Sequence, residues 1–149
     1  MKFRTLFAAA VIGAAAFAPA IAADEPQVVR QEMMKKVGEA IGEMAKMVKG
    51  EADFDAAKAL AALTTISEKA ATFGEHFPAG SETGMETEAA PAIWSDRAGF
   101  DAKLAAFKTS ADAAVAAAPA DLDGLKKLFG PLTQNCGACH ETYRVKKSS

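Results

Sequence analysis

Cysteine and histidine are scarce in this chain, with two of each among 149 residues. Two cysteines cannot build the multi-disulfide framework of a small secreted scaffold. A structural zinc site needs four ligands, and beyond Cys136, Cys139 and His140 the chain offers only His76 and scattered carboxylates. Strand-like alternation of apolar and polar residues is missing, and no βαβ pattern surrounds the cysteines, which argues against a thiol redox pair. Strong positive charge is missing too: the formal net charge is −2. Such a chain does not carry the basic footprint that nucleic acid requires.

What the chain does have is the arrangement Cys136-Gly137-Ala138-Cys139-His140. Two cysteines three apart, with histidine directly after the second, form the attachment pattern of covalent haem c. On a helix, positions i, i+3 and i+4 share one face. One flat ligand is then held at three points, two through sulfur and one through imidazole nitrogen.

Residues 1–22 read as an export signal. Lys2 and Arg4 form a basic head, residues 6–17 an apolar middle, and Ala20-Ile21-Ala22 a small-x-small cleavage site. The apolar run is short, contains Gly13 and precedes Pro19, which favours cleavage over a retained membrane anchor. Residues 23–149 are then one domain. Without Lys2 and Arg4 the 17 basic residues fall to 15 against 19 acidic ones, a formal charge of −4. With both cysteines bound to haem, no disulfide is available, so stability rests on helix packing and the buried cofactor.

The rest reads as four helical stretches. The first, 25–49, carries Met34, Val37, Ile41, Met44 and Val48 at alternating spacings of three and four, the pattern of a bundle seam. Met33, Ala40 and Met47 flank that seam. The second opens near Asp53 as N-cap and carries Ala59, Leu63, Ile66, Ala70 and Phe73, with Gly74 at its end. A long connection, 74–90, holds Pro78, Gly80 and Gly84; that length marks a functional segment or a crossing between bundle ends. The third stretch starts at Pro91 and carries Ile93, Phe100, Leu104, Phe107, Ala111, Ala114 and Ala118, interrupted by Arg97 and stopped by Pro119. Asp121 caps the fourth, in which Leu125, Phe129, Leu132, Cys136, Cys139 and Tyr143 repeat the alternation. Gly130-Pro131 is expected to bend it close to the attachment site. The expected fold is all-α, an antiparallel four-helix bundle with haem near one end.

On these residues the chain resembles the class II c-type cytochromes, comprising cytochrome c' and its low-spin, methionine-ligated relatives. The features that carry the resemblance are Arg30 with Met34 four residues later, His76-Phe77-Pro78-Ala79-Gly80, Pro91-Ala92-Ile93-Trp94, and a haem motif near the C-terminus followed by Tyr143-Arg144. The resemblance implies thioether bonds at Cys136 and Cys139 and His140 as proximal iron ligand. It also implies Arg30 near a haem propionate, Arg144 beside the proximal imidazole, and Met34 in the distal place. In one branch of the family the distal residue blocks an open iron site; in the other a methionine there binds iron. Gln31 is a further hydrogen-bonding residue beside the haem, and Trp94 a packing residue near its edge. His76, in the long connection, reads as a surface histidine.

Helical phase favours Met34 over Met33, since Met34 shares the seam with Val37 and Ile41 while Met33 lies about 100° away. The resulting expectation is a periplasmic one-electron carrier with His140 and Met34 as iron ligands and redox proteins as partners. The alternative is a five-coordinate haem protein that takes nitric oxide or carbon monoxide. A peroxidase would need distal polar groups, and a methionine face has none, so no enzymatic activity is expected. Family habit adds a homodimer through the first two helices.

Overall fold

The computed structural model describes residues 25–145; the export signal lies outside them. Five helices follow in order: α1 (Pro26–Val48), α2 (Ala56–Thr72), α3 (Ala92–Ser95), α4 (Arg97–Ala117) and α5 (Leu122–Tyr143), with a 3-10 turn at Phe73–His76. No described residue belongs to a named strand, although Ala89 and Arg144 form an isolated antiparallel bridge. The long helices α1, α2, α4 and α5 make the expected four-helix bundle, packing as α1 on α2, α2 on α4, α4 on α5 and α5 on α1.

Local chemistry sets the helix ends. Pro26 occupies the first turn of α1, where its missing N–H costs nothing. Gly50 leaves that helix with φ +76°, a left-handed conformation suited to glycine. The cap of α2 is Asp55 rather than Asp53: its Oδ1 accepts from the Lys58 N–H at 3.0 Å. Asp55 has the extended backbone that an N-cap needs and sits directly before Ala56. Asp121 caps α5 as expected, accepting from the Gly124 N–H at 2.7 Å.

The third stretch differs from its sequence expectation. It breaks at Asp96 into α3 and α4, because the Asp96 carboxylate accepts from the Gly99 N–H and begins a new helix. Ala118, expected on the seam, is exposed and ends α4 with φ +40°. Helix α5 runs on through Pro131 without interruption.

The dry core is aliphatic. Met44, Leu63, Ile66, Leu125 and Leu132 are each 1% exposed or less and pack with Ala59, Ala111 and Ala114. Burying one such large side chain contributes about 1.5–3 kcal/mol. On α1 the expected seam is shifted. Met33, Ala40 and Met47 are buried, whereas Met34, Ile41 and Val48 are only half-buried. Met34 and Ile41 instead border a cavity that α1 and α5 both line.

Candidate functional site

That cavity has a volume of about 700 Å³, in the range that holds a cofactor. From α5, Cys136, Cys139 and His140 line it together, as their helical spacing requires. From α1 come Gln27, Arg30, Gln31, Met34, Val37 and Ile41. Most of these lie three or four residues apart, so one face of α1 forms the wall, polar from Gln27 to Gln31 and, Lys35 excepted, apolar from Met34 onward. Phe73, Phe77, Ile93, Phe100, Leu104 and Phe107 close the remaining sides. Met33 is 7% exposed and takes no part in the lining.

The electrostatics suit a haem-binding face. Cys136 and Cys139 are not joined to each other, and burial pushes each thiol above its ordinary value, with Cys136 adding to the effect at Cys139. Partial burial, and then the Arg144 guanidinium, hold the His140 imidazole below its usual value, while Glu88 opposes them. A neutral imidazole keeps the lone pair that iron ligation needs. The Gln27 Oε1 is buried in the lining and has no hydrogen-bond partner among the described residues, leaving an acceptor for whatever fills the cavity. Thiols, imidazole, aromatic walls and a polar rim together fit a covalently held haem.

Arg30 is 4% exposed. Its Nη1 donates to the His76 carbonyl and the Ser81 hydroxyl, both at 2.9 Å. Its Nη2 donates to the Ser81 carbonyl at 3.0 Å and the Thr87 hydroxyl at 3.4 Å. The guanidinium carbon lies 4.7 Å from the centre of the Phe77 ring and 5.7 Å from that of Trp94, within cation–π range. Burial lowers its pKa, with Glu82 opposing. Gln27 donates to the Thr83 carbonyl at 2.8 Å and Gln31 to the Glu86 carbonyl at 2.6 Å. One face of α1 therefore grips the long connection, which the sequence marked only by its length.

Arg144 lines the cavity and pairs with Glu88, its Nε at 2.6 Å and its Nη2 at 2.5 Å from the same carboxylate oxygen. The Trp94 indole N–H donates to the Pro78 carbonyl at 3.2 Å and its ring packs against Phe77, outside the cavity lining. His76 does not line the cavity either; only its carbonyl serves the site, through Arg30. Sequence reasoning missed Glu88, Asp96 and Lys103. Of these, Asp96 had a readable signal in its three-residue spacing to Gly99, the offset of an N-cap.

The family model described as Cytochrome C' matches residues 25–144. Cytochrome c-556 of Agrobacterium fabrum is 45% identical over 147 residues, covering 99% of each chain. The solved cytochrome c' of Rhodopseudomonas palustris superposes with a TM-score of 0.80 at 37% identity, over 85% of this chain and 100% of that one. A cytochrome c prime from Alcaligenes xylosoxidans, solved as the nitric oxide complex of a mutant, gives 0.72 at 36% identity, over 83% and 98%. A family model spanning nearly every described residue, together with relatives this similar along their whole length, shows that this chain belongs to the cytochrome c' family and carries covalently bound haem c.

Proposed function

We propose that this protein is a periplasmic one-electron carrier whose haem iron is held between His140 and Met34. The observation that carries this reading is the position of Met34. Its side chain lines the cavity from α1 while the haem-attachment face of α5 lines it from another side, and the adjacent Met33 is turned away into buried packing. Haem c, when bound, would supply an iron that accepts and releases one electron, and the Met34 thioether, with the His140 imidazole, would favour its reduced state.

The chain's own residues do the rest. Partial burial holds the His140 imidazole below its usual value, which favours the neutral form that binds metal. Phe73, Phe77, Phe100 and Phe107 exclude water, so that oxidation changes little in the surroundings. Gln27, Arg30 and Gln31 form the polar end of the α1 face, where the Arg30 guanidinium supplies positive charge for the haem propionates. Beyond them the α1 wall carries Met34, Val37 and Ile41 beside Lys35; the thioether and aliphatic side chains themselves supply no acid or base for breaking an oxygen–oxygen bond. Export follows from residues 1–22, and no described helix is long and apolar enough to cross a membrane. Redox proteins are the partners that this chemistry calls for.

The second reading is a five-coordinate protein that binds nitric oxide or carbon monoxide. It is favoured by the nitric oxide complex of the Alcaligenes xylosoxidans relative. Absorption spectra of the purified holoprotein, oxidised and reduced, with and without carbon monoxide, separate the two. The carrier reading expects a low-spin spectrum indifferent to carbon monoxide and converted to high spin by Met34→Ala. A high-spin resting spectrum that shifts with carbon monoxide would establish the second reading instead.

A further inference from the structure

Helix α5 ends three residues after His140, and helix ends fray unless something holds them. No left-handed cap stops it: Arg144 leaves in an extended conformation. Tyr143 is 6% exposed and is fixed on several sides. Its hydroxyl donates to Asp96 Oδ2 at 2.7 Å, its carbonyl accepts from the Ala90 N–H at 3.0 Å, and its ring meets Phe100 edge-on with centroids 5.5 Å apart.

Asp96 is itself immobilised. Its Oδ1 accepts from the Gly99 N–H at 3.2 Å as the N-cap of α4, which leaves Oδ2 for the tyrosine. The first turn of α4 comes so close that a Cβ at Gly99 would stand 2.2 Å from Asp96 Oδ2 and 2.4 Å from the Tyr143 hydroxyl. Only glycine leaves room for that bond. The break between α3 and α4 therefore does more than turn the chain: it presents a carboxylate to the last turn of the haem helix.

We propose that Tyr143, through Asp96, is a positioning residue for His140. On a helix, Tyr143 lies beside His140 at i+3 and Cys139 at i+4. Tethering it to the N-terminus of α4 fixes the direction in which the imidazole points, because His140 shares that turn. The orientation and strength of an axial ligand set the potential of haem iron, and groups behind the ligand tune both. This inference rests on His140 as the proximal ligand.

The test measures midpoint potential and thermal midpoint on holoprotein carrying Tyr143→Phe, Asp96→Asn, the double change, or Asp121→Ala. Phenylalanine keeps the ring packing and loses only the hydroxyl; asparagine still caps α4. Asp121→Ala weakens the opposite end of α5 and serves as the control for general loosening. The expected result is a shift in potential of the same sign in Tyr143→Phe and Asp96→Asn, no larger in the double variant, and absent in Asp121→Ala despite its lower thermal midpoint. An unmoved potential in Tyr143→Phe, or an equal shift in Asp121→Ala, overturns the positioning role. The absorption spectrum of His140→Ala distinguishes the two failures: if it matches the wild type, the ligation reading itself is wrong and the proposal falls with it.

Discussion

Leu63, Ile66 and Leu125 in one half of the bundle, and Phe77, Phe100 and Tyr143 in the other, are all nearly free of solvent, yet they are held by different forces. The first group packs side chain on side chain along helix seams, with nothing directional about the contacts. The second is an edge-to-face chain of rings, Phe73 to Phe77 at 5.1 Å and Phe77 to Phe100 at 4.9 Å, continued by Tyr143. Hydrogen bonds from Gln27, Arg30 and Gln31 strap the long connection over it. Non-directional packing tolerates small shifts between helices. A cavity that must present two thiols and an imidazole to one flat cofactor does not, and directional contacts are concentrated there.

Breaking the two halves separately makes that contrast measurable. The largest effect is expected from Cys136→Ser combined with Cys139→Ser, which removes both attachment points: the intact mass should lose the whole haem increment. Next, Leu125→Ala opens a hole in the aliphatic half and should cost about 2–5 kcal/mol in denaturant unfolding. Its haem spectrum should stay that of the wild type. Arg30→Met leaves the His76 and Ser81 carbonyls without their donor and should cost about 1.5–3 kcal/mol. Hydrogen exchange should then accelerate within residues 77–90 and leave the Leu63 and Leu125 segments unchanged.

The smallest effect is a matter of pH. The bond to Asp96 and burial push the Tyr143 phenol up to about 12. A group whose pKa is raised on folding stabilises the native state while it keeps its proton. That contribution should be whole below the ordinary tyrosine value of about 10 and fade as pH rises toward the folded one. Tyr143 is the one tyrosine in the chain, so ultraviolet difference titration reads it directly, and Asp96→Asn should move its titration downward.

The aliphatic half was largely legible in the amino-acid sequence. Ala59, Leu63, Ile66 and Ala70, and Leu125 with Leu132, occupy the inward positions that their spacing indicates, because burial follows helical period. The haem motif was legible for the same reason, its spacing being a helix face. On α1, periodicity could not tell the core from a cofactor wall, since both are apolar; Met33, Ala40 and Met47 took the core, while Met34 and Ile41 border the cavity. Asp53 was expected as the cap of α2, but Asp55, whose extended backbone directly precedes Ala56, takes that place, a matter of backbone conformation rather than of spacing. The break at Asp96 is a local cap on Gly99 that the apolar stripe through residues 93–107 masked, whereas the grip of Arg30 on residues 76–87 depends on contacts between residues distant in the chain, which have no period to read.

The proposed ligation of iron by Met34 is tested most directly by proton magnetic resonance of the reduced holoprotein. The methyl of a methionine whose sulfur binds the iron would lie over the porphyrin and be shifted far upfield by its ring current. One such methyl is expected in the wild type, retained in Met33→Ala and absent in Met34→Ala. A spectrum with no upfield methyl, or one lost in Met33→Ala instead, would contradict ligation by Met34.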